Sequence, residues 1–138
     1  KRPTQKDQAN GLLISLADTA AAAHPGLVVQ PVVQEIVDKL AVEKAVTPEV
    51  VVERVKETGK LPNFTETAFK ASLKKNQAEE LNVPGKLLSK TKVEYRLANG
   101  ITIRGPWAQI ENLLKILPVA GGGHEFSIKT TSYEKKYV

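Results

Sequence analysis

The amino-acid sequence predicts an α+β fold, in which an amino-terminal helical bundle is followed by a small antiparallel sheet with one further helix. Over the first three-fifths of the chain, apolar residues recur at spacings of three and four, the period of one helix face. After Asn76 the pattern changes to alternation around an Asn-Gly turn, which is typical of a β-hairpin. A chain of 138 residues with 41% hydrophobic side chains is long enough to bury a core.

The change of pattern divides the chain into two parts. We expect residues 1–78 to form the helical bundle and residues 79–138 to form the sheet subdomain, within one compact unit. The sequence begins with Lys1-Arg2-Pro3 and not with methionine. We therefore expect it to be a fragment of a longer protein.

The first two helices are predicted from their apolar faces and their ends. One helix is expected between Thr4 and His24, where His24-Pro25-Gly26 ends it. Its apolar face consists of Leu12, Leu13, Leu16, Ala20 and Ala23. The second helix opens with Pro31 in its first turn, where the missing N–H has no cost. Its apolar face consists of Val33, Ile36, Val37 and Leu40.

The third and fourth helices have clear start signals. The third begins at Thr47-Pro48-Glu49, an N-cap followed by proline and an acidic residue, and ends at Gly59. Its inward residues are Val51, Val52 and Val55. The fourth helix is expected over about Thr65–Asn76. Phe69 and Leu73 form its apolar face, and its other faces carry Lys70, Lys74 and Lys75.

A β-hairpin is predicted from the alternating segments 92–97 and 101–104. Directly opposed residues lie on the same face of the sheet, so the loop length decides which residues share a face. A two-residue loop would place Leu97 opposite Thr102 and mix apolar with polar side chains. We therefore predict a three-residue loop with a left-handed Gly100, which opposes Leu97 to Ile101 and Tyr95 to Ile103. The exposed face then carries Lys92, Glu94, Arg96, Thr102 and Arg104, with Glu94 opposite Arg104.

The segments on either side of this hairpin complete the predicted sheet region. Before the hairpin we expect a short strand at 81–83 and a turn at Pro84-Gly85. After it we expect a helix that starts at Pro106 and ends at Pro118. The buried side of this helix is expected to hold Trp107, Ile110, Leu114 and Leu117.

The carboxyl-terminal segment is predicted to contain a turn, a strand and a tail. Gly121-Gly122-Gly123 is expected to form a hairpin turn. A last strand is expected over 125–131, with Phe126 and Ile128 facing inward, followed by a frayed tail over 133–138.

Charge is distributed unevenly along the chain. Residues 1–68 carry 8 basic and 9 acidic side chains, whereas residues 69–138 carry 12 basic and 6 acidic ones. This excess indicates an anionic partner, for which nucleic acid is the first candidate. A solvated surface is the alternative interpretation, and charge alone does not decide between the two. The candidate phosphate contacts are Lys70, Lys74, Lys75, Lys90, Lys92, Arg96 and Arg104.

Residue types give little support for an enzyme, a cofactor or a metal site. Without cysteine there is no thiol nucleophile and no thiolate ligand, and a reducing intracellular location is expected. His24 lies at a helix end, where an imidazole satisfies terminal carbonyls. His124 and Glu125 are adjacent on a predicted strand and therefore point to opposite faces. No run approaches the roughly 20 apolar residues of a membrane span.

Several segments resemble, in their order and spacing along the chain, those of a known protein family. They are Gln8–Leu13, Phe64–Phe69, Leu81–Pro84, the hairpin, and Gly100–Gly105 followed by a short helix. In these segments the chain resembles the carboxyl-terminal portion of the NdpA-type family of bacterial nucleoid-associated proteins, although the segment after Pro118 departs from the family pattern. The resemblance implies a cytoplasmic, nucleoid-associated protein that associates with double-stranded DNA. It implies no individual binding residues.

Two functions follow as hypotheses. The first is binding of double-stranded DNA through the phosphate backbone. Little sequence specificity is expected, because the helix that would read the major groove in a winged-helix arrangement carries only lysines and no cluster of Arg, Asn or Gln for base edges. The second is a module that forms a homodimer or docks a protein partner, while the DNA contacts lie in an amino-terminal half outside this sequence. That second hypothesis expects an exposed apolar patch around the valine-rich second and third helices.

Overall fold

A computed structural model describes residues 2–138 as six helices and two separate two-stranded antiparallel sheets. The helices are α1 (Gln5–Ala23), α2 (Gln30–Leu40), α3 (Pro48–Thr58), α4 (Glu66–Lys75), α5 (Lys86–Ser89) and α6 (Trp107–Leu113). The strands are β1 (Lys92–Arg96), β2 (Thr102–Pro106), β3 (Leu114–Pro118) and β4 (His124–Ile128). Five of the six helices precede the strands, so the predicted α+β class is confirmed, although the strands form two hairpins and not one sheet.

Side-chain caps fix the starts of α1, α3 and α4 where the sequence predicts them. The Thr4 hydroxyl accepts a hydrogen bond from the Asp7 amide at 3.1 Å, and the Asp7 carboxylate accepts one from the Thr4 amide at 3.0 Å. Thr47 and Thr65 each accept a bond from the amide three residues later, at 3.4 and 3.2 Å. Gly59 ends α3 in the left-handed conformation, with φ of 64°.

The apolar faces of the first four helices form the core. α1 packs against α2 and α4, and α3 packs against the same two helices. The predicted inward residues of these helices are buried, except Ala23, which is partly exposed at the end of α1. The core also extends along the chain through Leu81 and Val83 to Leu88 of α5. The division at residue 78 stays a prediction, because buried residues lie on both sides of it.

The short strand predicted at 81–83 is wrong. Val83 exchanges backbone hydrogen bonds only with Val46, at 2.7 and 3.2 Å, as an isolated bridge. The pairing ends there because the residue after Val46 is Thr47, the N-cap of α3. The predicted turn at Pro84-Gly85 leads directly into the short helix α5, which was not predicted and which buries Leu88. A four-residue helix is too short to produce a periodic sequence pattern.

The first hairpin has the predicted register. Tyr95 lies opposite Ile103, Glu94 lies opposite Arg104, and the amide of Leu97 donates to the carbonyl of Ile101 at 2.8 Å. The connecting loop has three residues and ends with Gly100 in the left-handed region, with φ of 88°. The turn chemistry and the alternation of the two strands were therefore sufficient to predict this hairpin.

The helix predicted from Pro106 to Pro118 is wrong in its second half. Helix α6 ends at Leu113, and Leu114 begins strand β3, which pairs with β4. The apolar residues of this segment, Leu113, Leu114, Ile116 and Leu117, fit helix and strand periods equally well. Strand formation puts Leu114 opposite Ile128, and leaves Leu117 51% exposed in place of its predicted buried position.

The end of the chain follows the prediction in outline. Residues 121–123 form the turn of the second hairpin, closed by a hydrogen bond from the Val119 amide to the Gly123 carbonyl at 3.2 Å. Strand β4 ends at Ile128, earlier than predicted, because its partner β3 begins at Leu114. Phe126 is partly buried, and Ile128 lies on the same face of β4 but is 44% exposed, so its predicted burial is wrong. Residues 133–138 are exposed and lie outside helices and strands.

A substitution at Gly11 tests the close contact between α1 and α4. A Cβ atom at Gly11 would overlap the backbone oxygen of Asn76, so we expect Gly11→Ala to destabilise the protein by about 1–3 kcal/mol. Helix propensity alone predicts the opposite sign, a gain of up to about 1 kcal/mol. Urea unfolding measures the difference. Ala21→Gly on an exposed position of the same helix serves as the propensity control. A Gly11→Ala variant as stable as the wild type would contradict the contact.

Candidate nucleic-acid interface

The exposed face of the first hairpin groups three cations. Burial alternates along both strands, and this places Lys92, Glu94 and Arg96 of β1 and Arg104 of β2 on the exposed face. Arg104 lies directly opposite Glu94. It is therefore the diagonal neighbour of Lys92 and Arg96, at a distance of about 7–8 Å between backbones in an antiparallel pair. The predicted exposed face is confirmed, and it carries more basic than acidic side chains.

One of these cations is paired within its own strand. The Nε atom of Arg96 donates to Oε2 of Glu94 at 2.6 Å, although Glu94 lies opposite Arg104. Within residues 2–138, Lys92 and Arg104 have no carboxylate within 4.0 Å. Two of the three cations on this face are therefore available to an external anion.

The segment before β1 adds another exposed lysine. Lys90 follows α5 directly, and two residues later Lys92 begins the strand. The carbonyl of the intervening Thr91 accepts a hydrogen bond from the Trp107 amide at 2.8 Å, which ties this segment to α6. Lys90, Lys92, Arg96 and Arg104 thus belong to one continuous piece of chain and its paired strand.

The lysines of α4 have a different environment. Lys70 lies between Glu66 and Glu49, with its ammonium 2.8 and 3.1 Å from their carboxylates. The bond to Glu66, and next the bond to Glu49, raise the pKa of Lys70, and the same contact lowers the pKa of Glu66. Sequence spacing predicts the contact with Glu66, four residues earlier, but gives no signal of the contact with Glu49 on α3. The charge of Lys70 is therefore largely balanced.

Lys74 and Lys75 belong to a different element from the hairpin cations, the helix α4. Lys74 lines two open clefts, and Glu79 and Glu80 line both of them. Lys75 is exposed in the last turn of α4, where it interacts favourably with the helix dipole. Helix α4 packs against α1 and α3, whereas the hairpin packs against α6. The seven predicted contacts therefore fall into a hairpin group and an α4 group.

The buried face of the hairpin contains a hydrogen bond that the sequence did not indicate. The Tyr95 hydroxyl donates to Oε1 of Glu111 on α6 at 3.0 Å. Burial, and next this bond, raise the pKa of Tyr95 to about 12. The ring of Tyr95 also makes an edge contact with Phe126, with centroids 5.9 Å apart. Tyr95 therefore connects both hairpins and α6, and it is inward as predicted.

Both histidines occupy the positions expected from the sequence. Nδ1 of His24 is 3.2 Å from the Ala20 carbonyl, and its Nε2 accepts from the Asn63 amide at 3.2 Å. Acceptance at Nε2 places the proton of a neutral His24 on Nδ1, so the ring caps α1 and holds a distant loop. His124 and Glu125 are consecutive in β4 and lie opposite different residues of β3. Residues 2–138 contain no group of three His, Cys, Asp or Glu side chains that could hold a metal ion.

Comparison of the chain with protein-family models, with curated proteins and with solved structures finds no match in any of the three. The resemblance to nucleoid-associated proteins therefore stays a prediction. Among the described residues, no helix has both the length and the apolar character that a membrane crossing requires.

The environment of Tyr95 predicts a pH dependence. Burial and the bond to Glu111 raise its pKa in the folded state to about 12, from about 10 in the unfolded chain. Its contribution to stability is therefore complete below about pH 10 and is lost as the pH rises through about 12. The difference between the phenolate absorbance titrations of the wild type and Tyr95→Phe isolates this ionisation. A midpoint near pH 10 in that difference would contradict the buried hydrogen bond.

Proposed function

We propose that this chain binds double-stranded DNA through the phosphate backbone, and that the exposed face of the first hairpin makes the main contacts. The observation that carries the proposal is the grouping of Lys92, Arg96 and Arg104 on one face with a single carboxylate. Cations placed along an exposed ribbon contact successive phosphates and release condensed counterions. The predicted resemblance to nucleoid-associated proteins agrees with this proposal and adds a cytoplasmic, nucleoid location to it.

The two groups of basic residues contribute unequally in this proposal. The hairpin group is Lys90, Lys92, Arg96 and Arg104, and of these only Arg96 has an ion pair within residues 2–138. The α4 group is Lys70, Lys74 and Lys75. Lys70 is held by two carboxylates, and Lys74 shares its clefts with two more. Those carboxylates repel phosphate, so the α4 lysines make the weaker contribution.

A salt titration of DNA binding tests the hairpin. For wild-type protein and a fluorescein-labelled duplex, we expect the affinity to fall linearly on a log–log plot between about 50 and 200 mM salt. The double variant Lys92→Gln/Arg104→Gln removes two phosphate contacts, so the slope should decrease in magnitude by about 2. Fluorescence anisotropy measures both quantities. The matched control is Lys56→Gln, an exposed lysine on α3, a helix that packs in the bundle and not on the hairpin.

Three outcomes would contradict the proposal. They are absence of binding at low salt, affinity that is indifferent to salt, and equal loss of slope in the control and the double variant. A duplex of different sequence should bind with similar affinity, since the proposed contacts are to phosphates, which carry no sequence information.

Self-association is a second candidate function, favoured by the second hairpin. The inward valines of the second and third helices are buried in the core, and the exposed apolar residues beside α2 are Leu27, Val28 and Val42. A larger group of exposed apolar side chains lies on the β3–β4 hairpin and beside it: Leu113, Ile116, Leu117, Val119 and Ile128. Each of these two strands has one unpaired edge in the described structure. Edge pairing of two copies would extend the hairpin into a four-stranded sheet and cover part of this surface.

Light scattering tests this candidate. We expect the wild-type mass to rise with concentration, and we expect Ile116→Asp to keep the monomer mass, because a charge would then lie within the apolar face. Val42→Asp, at an 84% exposed position outside the hairpin, is the control and should behave as the wild type. A wild type that remains monomeric at every concentration would exclude self-association through this hairpin.

A further inference from the structure

A cavity of about 230 Å³ lies where the sheet region meets the helical bundle. Residues of α1, α2, β1 and α6 line it, so it exists only because the first hairpin and α6 are docked on the bundle. Ile14 and Val33 are among its apolar lining residues. Concave sites that combine apolar walls with a few polar groups are typical of small-ligand binding.

The charged and aromatic groups that line this cavity favour a positively charged ligand. Two carboxylates, Asp18 and Glu111, and two aromatic residues, Tyr95 and Trp107, line it. No Lys, Arg or His is among its lining residues in the described chain, although the protein carries a net charge of +5. Carboxylates attract an ammonium group directly, and aromatic faces attract it through their quadrupole.

The hydrogen bond between Tyr95 and Glu111 orients one of the two carboxylates in the cavity. The Tyr95 hydroxyl donates to Oε1 of Glu111 at 3.0 Å, which orients the carboxylate. Within the described residues, Oε2 of Glu111 has no hydrogen-bond partner and remains available to a ligand. The raised pKa of Tyr95, about 12, keeps its hydroxyl protonated and donating at neutral pH.

We propose that this cavity binds a primary alkylammonium group, whose charge pairs with Glu111 and Asp18 and whose alkyl stem contacts the apolar and aromatic walls. The same chemistry is present in a free monoamine and in a lysine side chain. The proposal does not depend on DNA binding, because none of the basic residues of the proposed DNA interface lines the cavity.

The single tryptophan of the chain makes the binding directly observable. Trp107 is the only tryptophan and it lines the cavity, so its fluorescence reports on occupancy. We expect n-butylammonium to change this fluorescence saturably, with half-saturation on the order of millimolar, as for a ligand of a few atoms. The neutral isostere n-butanol should give no saturable change. Saturation-transfer NMR on the same ligands provides a second readout that does not depend on tryptophan.

Two variants remove a carboxylate charge from the cavity while keeping the size of the side chain. Glu111→Gln removes the charge but keeps an oxygen that can accept from Tyr95, and Asp18→Asn changes an exposed residue. Glu111→Gln should weaken n-butylammonium binding by about tenfold or more, the usual size of a lost charged hydrogen bond. Asp18→Asn should weaken it by up to about fivefold, because Asp18 is exposed. Glu125→Gln, an exposed carboxylate on β4 outside the cavity, is the matched control and should bind as the wild type.

The source of the ammonium group is distinguished by a parallel titration with Nα-acetyl-lysine methylamide. Tighter binding of this compound than of n-butylammonium assigns the site to a lysine side chain, and weaker binding assigns it to a free amine. The proposal is overturned if neither compound binds, if n-butanol binds equally well, or if Glu111→Gln and Asp18→Asn both retain wild-type affinity.

Discussion

The close packing of α1 against α4 is the contact on which the rest of the structure depends. Leu12 and Leu16 of α1 are fully buried, and Gly11 allows the helix to approach the Asn76 backbone. The Asn76 side chain donates to the buried Ser15 hydroxyl at 3.0 Å, so the polar group in this contact is satisfied. Because α2 and α5 also pack against α1, this helix connects the early bundle to the segment that leads into the hairpin.

The two hairpins depend on a few buried side chains for their position. An isolated two-stranded hairpin is at best marginally stable in water, so each must gain stability from contacts with another element. The first hairpin packs against α6, and Trp107 of that helix packs against the core. The ring of the second hairpin's Phe126 meets Tyr95 of the first. Tyr95, Trp107 and Phe126 therefore hold both hairpins in place, and Tyr95 and Trp107 also line the proposed ammonium site.

The unequal charge of the two halves corresponds to a difference in pairing. In the bundle, Arg54 contacts Glu43 and Glu57, and Lys60 contacts Glu35. Pairs at the surface of a protein add little stability, but they cancel the local field. Such cancellation is weaker on the first hairpin, where one glutamate faces three cations. Within residues 2–138, the first hairpin therefore presents two unpaired cations, Lys92 and Arg104, on an extended and exposed ribbon.

Local signals in the sequence were sufficient to predict the four long helices and the first hairpin. Helix caps, apolar residues at helical spacing and an Asn-Gly turn all act over a few residues. They also placed Lys92, Arg96 and Arg104 on one exposed face, since strand alternation follows directly from the register. Only the tertiary structure decided that Leu114–Pro118 is a strand, because its apolar pattern fits both periods and β4 supplies the pairing partner. It likewise decided that Lys70 meets Glu49 and that Glu111 meets Tyr95, because these contacts join separate elements whose relative placement is set by core packing.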